Sequence, residues 1–335
     1  MLAKNRIIID IFFVMAAMMF FIIFSFYLFL YTPPSADKLE RVIEISEGMS
    51  FRAMADLLKR EHLITNKTYF ILLGRFTLLD RNVMAGEYAL TARMLPEEIL
   101  TKFKYGKILL HEVAIPEGYT AKQIAQLLSE KKLADYTIFM NLIYNKEFAL
   151  ALGVNSPTLE GYLFPDTYLF PRKLKAEEIV GSMVKKFFTV YTPDLVEKAR
   201  LLRMTTNEVV TLASIIEKET SNRNERTIVS AVFHNRLRKG IPLQSDPTVI
   251  YGLPNFNGDI TKADLKTKTA YNTYRRKGLP PGPIANPGRE SIVAALYPLR
   301  VDYLFFVSKN DGTHYFSTSL SEHNQAVRLY QRGGV

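Results

Sequence analysis

The residues best placed to do chemistry lie in NEVVTLASIIEKET, Asn207–Thr220. Val209, Leu212, Ala213 and Ile216 recur at the spacing of one helical face. The stretch ends in two carboxylates, Glu217 and Glu219, separated by Lys218. At about 100° per residue, Glu219 projects beside Leu212, Ile215 and Ile216. Glu217 lies well round from Leu212 and Ile215, and Lys218 points to the opposite side. A carboxyl on the flank of an apolar face is partly desolvated, which raises its pKa. A general acid working near neutral pH needs that shift. The plainer alternative is that both carboxylates sit in solvent at a helix end.

Polar groups crowd the chain downstream. LQSDPTVIYG (243–252) brings Gln244, Asp246, Thr248 and Tyr251, and AYNTY (270–274) brings Tyr271, Asn272, Thr273 and Tyr274. Asn235 and Arg236, on a second predicted helix, could face the same cleft. Amides, hydroxyls and tyrosines around one acid fit a polyol, whose hydroxyls need partners and whose rings stack on aromatics. Ordinary glycoside hydrolysis needs two carboxylates across the bond. Glu217 points elsewhere, and Asp246 can as easily form an Asx turn before Pro247. One carboxylate suffices if the substrate supplies its own nucleophile. It then protonates the leaving oxygen, later accepts a proton from a substrate hydroxyl, and consumes no water.

The elements that must hold these residues read as α+β. The second helix runs over 225–239 and ends at Gly240 as a C-cap. The stretch 270–288 is too rich in Pro and Gly for regular structure, and its length points to function rather than a plain connection. Residues 303–308 and 314–319 form a hairpin across Asn310-Asp311-Gly312, and a short helix ends the chain. Upstream, IEISEGMSFRAMADLL (43–58) repeats weakly as VAIPEGYTAKQIAQLL (113–128). Each is a strand, a Glu-Gly turn, a Ser50 or Thr120 cap and a helix. This spacing predicts tandem strand–helix modules, or merely a common strand-to-helix turn. The intervening chain is helical around 68–79 and extended over 83–90. Residues 135–200 are mainly helical, broken by the aromatic loop LEGYLFPDTYLFP (159–171), either a sugar-stacking surface or a loop packed on the core.

Composition bounds the rest. The 335 residues allow two or three domains, and 48% hydrophobic content supports a substantial core. There is no cysteine, so no disulfide or Cys-ligated metal can form. The five histidines lack zinc-site spacing, so no metal and no cofactor are expected. After Lys4 and Arg6, residues 7–31 are almost wholly apolar and leave through Tyr27, Phe29 and Tyr31. This predicts an uncleaved single-pass anchor rather than a signal peptide. The basic tail places the N-terminus in the cytoplasm and the remainder outside. There the net charge of +10 suits anionic lipid or wall polymer rather than nucleic acid.

ASIIEKET (213–220), LQSDPTVIYG (243–252), AYNTY (270–274) and GLPPGPIANPG (278–288) resemble the signature blocks of the YceG-like (MltG) endolytic murein transglycosylases. The resemblance extends to the N-terminal anchor and to the strand–helix units, which look like that family's LysM-like region. It implies cleavage of the β-1,4 bond between N-acetylmuramic acid and N-acetylglucosamine in nascent peptidoglycan, leaving 1,6-anhydro ends and terminating strand growth. It also implies work beside wall synthases (penicillin-binding proteins) at the cell inner membrane. By the same resemblance Glu219 is catalytic, and Gln244, Asp246, Thr248, Tyr251, Tyr271, Asn272, Thr273 and Tyr274 are substrate-binding; Asn235 is expected to join them from its place on the second helix. The expected organisation is a cytoplasmic tail (1–6), an anchor (7–31), a linker (32–41) and a LysM-like α+β module (42–110). A second strand–helix unit with connecting helices (111–200) and a mixed α/β catalytic domain (201–335) follow. A muramidase-type hydrolase and a non-catalytic peptidoglycan-binding scaffold are the alternatives.

Overall fold

The structure, a computed structural model, describes residues 2–81, 83–254, 256 and 258–331. Its chain forms two compact units, Met1–His111 with Pro171–Lys173, and Glu112–Phe170 with Leu174–Val335.

The first unit begins with α1 (Leu2–Tyr31). Its stretch Arg6–Tyr31 is long and apolar enough to cross a membrane, with mean hydropathy 2.8 over its most apolar window. β1 (Arg41–Ile45), α2 (Phe51–Arg60), α3 (Lys67–Phe76), β2 (Gly86–Leu90) and α4 (Pro96–Lys104) follow. β1 and β2 pair antiparallel with Ile43 opposite Tyr88. Period-two alternation sends Ile43 and Ile45 inward, onto Leu58, Phe70, Tyr88 and Phe103. Ser50 caps α2 by accepting from the Ala53 N–H at 3.2 Å, as its sequence position predicts. Asn66 caps α3 through the Thr68 and Tyr69 N–H groups.

The second unit opens within β3 (His111–Ala114), at Glu112, and α5 (Ala121–Glu130) follows. Here Thr120 and Gln123 close a capping box at the helix start. The repeated strand–turn–helix pattern is therefore real in both places. α6 (Tyr136–Ile143), α7 (Lys146–Ala151), β4 (Thr167–Phe170), α8 (Ala176–Val190) and α9 (Pro193–Leu201) come next, with β4 paired to β3. Segments 111–200 and 201–335 share a single core: Ile124, Phe139, Leu163 and Phe187 belong with Val210, Ile215, Phe233 and Ile292. The aromatic loop packs inward, with Leu159, Tyr162, Leu163 and Phe170 buried. Gly161, at φ +89°, lets it approach Pro283 and Val210, which any Cβ there would strike at 2.5 and 2.8 Å.

At the centre of this unit runs α10 (Thr206–Glu219). Thr205 and Glu208 form its capping box. Val209 through Ile216 are all buried, so the helix is covered on every side rather than along one stripe. Around it stand α11 (Arg226–Lys239), α12 (Asp246–Gly252) and α13 (Arg289–Leu296). Gly240 ends α11 in the left-handed conformation, φ +63°. β5 (Phe305–Ser308) and β6 (His314–Ser317) make the expected antiparallel hairpin, and α14 (Leu320–Gln331) packs on it.

Buried side chains fix the Pro- and Gly-rich stretch 270–288. Ser214 on α10 accepts from the Ile284 N–H at 3.0 Å. Asn286, fully buried, donates to the Tyr119 carbonyl and to Glu160, and accepts from the Leu163 N–H. A loop whose backbone polar groups are met in this way can be ordered without regular structure.

Candidate active site

Glu219 is the last residue of α10, because Thr220 turns to extended backbone (φ −141°, ψ 129°). Its neighbour Glu217 does not decorate a solvated helix end. The Glu217 side chain is 6% exposed and pairs with the Arg226 guanidinium at 2.9 Å. It also accepts from the Gly288 N–H at 3.0 Å. Glu217 thus ties α10 to α11 and to the start of α13.

Glu219 faces a cavity of about 460 Å³ lined also by Arg236, Gln244, Asp246, Tyr274, His314 and His323. Its Oε1 is buried and has no hydrogen-bond partner. Burial pushes the carboxyl up to about 7, and the nearby Asp246 charge adds to the rise. The Ser245 hydroxyl and the Arg236 guanidinium pull the other way. Near neutrality such a group exists in both protonation states in comparable amounts, so it can donate a proton and take one back.

The walls are rigid. Arg236, 7% exposed, donates to the carbonyls of Leu243 and Leu304 and to Gln244 Oε1. Its guanidinium lies 5.1 Å above the Phe305 ring, and the His323 imidazole stacks on Phe305 at 5.2 Å. Burial and then Arg236 hold His323 below the ordinary imidazole range, so it is neutral at pH 7. Its Nδ1 is buried without a partner. His314 Nδ1 lies 2.7 Å from Glu225 Oε2, which fixes its ring. Gln244 takes a left-handed conformation, φ +54°, costly for a residue with a Cβ. The Thr273 carbonyl and Arg236 hold it there.

The residues singled out in the sequence fall into three places. Gln244, Asp246 and Tyr274 line the cavity with Glu219, and the Tyr274 hydroxyl donates to Asp246 at 2.6 Å. Asp246 is thus a fixed acceptor at the start of α12, where Pro247 supplies the first turn. Thr248, Asn272 and Thr273 are buried beneath that wall. Thr273 accepts from the Ser245 N–H and meets Thr248 at 2.8 Å. Asn272 pins the carbonyls of Leu265 and Thr267. These three shape the cleft and do not line it. Tyr251 and Tyr271 stand together, ring centroids 4.8 Å apart, with the Tyr251 hydroxyl donating to Glu160 on the other side of α12. Asn235, expected at the cleft, donates instead to the Val301 and Tyr303 carbonyls and accepts from Arg238. It anchors the chain that leads into β5.

Three residues were not singled out from sequence. His314 and His323, weighed there only as metal ligands, complete the cavity wall. Their signal was position: both flank the aromatic run of the hairpin, where a polar ring among Phe305, Phe306 and Phe316 needs a reason to be there. The third is Glu160, inside the aromatic loop and 5% exposed.

The model of the YceG-like family matches residues 43–329. A Bacillus subtilis (strain 168) protein named endolytic murein transglycosylase is 33% identical over 307 residues, covering 86% of this chain and 84% of its own. A Streptococcus pneumoniae (strain R6) protein of the same name is 27% identical over 320 residues. This chain spans just over half, 57%, of that longer relative. A YceG-like protein of known crystal structure from Listeria monocytogenes aligns with a TM-score of 0.60 and 33% identity, covering 86% of this chain and 99% of that one.

Proposed function

The chain belongs to the YceG-like family, and from that premise we propose that it is an endolytic lytic transglycosylase of peptidoglycan with Glu219 as its catalytic acid and base. One observation carries the assignment of the residue. Among the described residues Glu219 alone combines a wall position in the polar cavity, a pKa raised to about 7 and a buried oxygen left without a partner. A buried polar atom without a partner is costly, and a substrate oxygen arriving there would relieve it.

Protonated Glu219 gives its proton to the glycosidic oxygen between N-acetylmuramic acid and N-acetylglucosamine. The C1–O bond breaks, its electron pair stays with the leaving oxygen, and C1 becomes oxocarbenium-like. The Glu219 carboxylate then takes the proton of the muramoyl C6 hydroxyl, whose oxygen closes on C1. A 1,6-anhydro end forms, Glu219 is protonated again and no water enters. Gln244, Asp246 and Tyr274 hold the sugars in the cleft, Thr248, Asn272, Thr273 and Asn235 keep its walls in register, and Tyr251 and Tyr271 stand outside it.

The same reading places α1 in the inner membrane as a single-pass anchor, its tail in the cytoplasm and the catalytic unit outside. Lys4 and Arg6 at the start of the chain and the exposed apolar surface of the helix after them support this. The strand–helix–helix–strand order of β1, α2, α3 and β2 supports a LysM-like module that grips glycan. Wall synthases are the partners expected beside nascent strands.

Digestion of purified sacculi tests the reaction. Wild type should release fragments with anhydro ends, and Glu219→Gln none. Ends heavier by one water would make the protein a muramidase, and binding without release would make it a scaffold.

A further inference from the structure

A second cavity, of about 660 Å³, opens on the far side of α12 from the Glu219 cleft. Lys122, Gln123, Tyr144, Lys218, Ile250 and Tyr251 are among the residues that line it, and Glu160 closes its back. The two cavities meet at the last turn of α10. Lys218 borders one and Glu219 the other, and successive Cα atoms lie about 3.8 Å apart. A substituent on a sugar bound at Glu219 has only to pass round this last turn of α10 to enter the second cavity.

The lining says what kind of substituent fits. Two ammonium groups, Lys122 and Lys218, stand at the mouth, and among the described residues neither is in an ion pair. Lys218 makes one long hydrogen bond, to the Gly118 carbonyl at 3.3 Å, which leaves protons for a ligand. Behind them Tyr144, Ile250 and Tyr251 give an apolar, aromatic wall. A neutral sugar chain has no use for two free ammonium groups, whereas carboxylates joined by aliphatic carbons match both halves of the cavity. Glu160 does not compete for the ligand. Its oxygens already accept from the Ala121 N–H, Asn286 and the Tyr251 hydroxyl, which holds Tyr251 in place as part of the wall.

We propose that this cavity binds the short acidic peptide that a peptidoglycan strand carries on its muramoyl lactate, so that the protein reads the peptide while it cleaves the sugar. The assignment rests on the transglycosylase reading above, and the test separates the two.

Full-length protein in detergent is given two substrates, uncrosslinked strands bearing peptides and the same strands stripped of them by an amidase. Lys122→Ala/Lys218→Ala should raise KM on peptide-bearing strands roughly three- to tenfold, the scale of losing two rim charges, and leave cleavage of stripped strands unchanged. Lys122→Arg/Lys218→Arg should keep KM on peptide-bearing strands near the wild-type value. An equal loss on both substrates would make the cavity a sugar subsite and overturn the proposal, as would no loss on either. Unchanged cleavage of stripped strands also shows that the alanine variant folds. Failure of wild type to cleave either strand would overturn the transglycosylase reading itself, and this proposal with it.

Discussion

Glu160 is buried and Glu219 half-buried with its Oε1 enclosed, and desolvation lifts each carboxyl to about 7. They stand in the walls of neighbouring cavities on either side of α12. By titration alone they are hard to tell apart. Their surroundings separate them. Glu160 receives a backbone N–H, an amide and a tyrosine hydroxyl, joining α5, α12 and the proline-rich loop. Glu219 has a buried oxygen that receives nothing. A raised pKa marks the cost of burial. The hydrogen-bond inventory shows whether the protein has already used the group as a fastener or kept it for a substrate.

The largest effect that sharpens this comparison comes from isosteric substitution at the two sites. Glu219→Gln should lower glycan cleavage by about 10²–10⁴-fold, the range for losing general acid–base catalysis. Glu160→Gln should stay within a few-fold of wild type when assayed below its melting temperature. Comparable losses of turnover in two well-folded variants would erase the distinction.

A third carboxyl gives an effect on folding rather than chemistry. Glu217→Gln removes the charge facing Arg226, a guanidinium 5% exposed. Losing one partner of a buried pair commonly costs about 3–5 kcal/mol. Here the half-exposed Glu290 and Glu117 remain within 3.3 and 3.6 Å of Arg226, and a smaller loss of about 1–3 kcal/mol is expected. Thermal unfolding should show it as a lower Tm, with turnover per folded molecule preserved. A Tm equal to that of wild type would mean that Glu217 fastens nothing.

Stability against pH gives the smaller contrast. A carboxyl raised from 4.5 to about 7 favours the folded state fully below pH 4.5, and that contribution fades as pH climbs to 7. Above pH 7 the penalty is about 3 kcal/mol per group, before relaxation of the site reduces it. Glu219→Gln removes the penalty and breaks no existing bond to Oε1. At pH 8 it should unfold at or above the wild-type temperature, whereas Glu160→Gln, which disturbs three contacts, should not gain. Chemical denaturation at pH 5 and pH 8 measures both.

What was legible in the sequence was local. Ser50, Thr120 and Thr205 cap the helices their positions predict, and Asn310 and Gly312 make the hairpin turn with positive φ. The organisation as α+β with one long apolar N-terminal helix was readable for the same reason. The helical period set Glu219 apart from Glu217 on the premise of one apolar stripe, but α10 is covered all round and Glu217 is just as enclosed. The two differ by their partners: Glu217 is held by Arg226 and the Gly288 N–H. What was hidden depends on partners far along the chain. Glu160 meets Ala121, Tyr251 and Asn286 across 39, 91 and 126 residues. Asn235 was drawn to the cleft by its neighbours in sequence, but its amide finds carbonyls 66 and 68 residues on. His323 reaches the cavity only because α14 folds back over the hairpin. Periodicity carries no information about such pairings, since they are fixed by which surfaces the core brings together.

The most direct measurement is the pH dependence of kcat/KM for glycan cleavage, in wild type and in Glu160→Gln. Cleavage should fall above an apparent pKa of about 7, as the free enzyme loses the Glu219 proton, and the falling limb should keep its place in the variant. A limb that moves or disappears when Glu160 is replaced would make Glu160 the working acid and contradict the account.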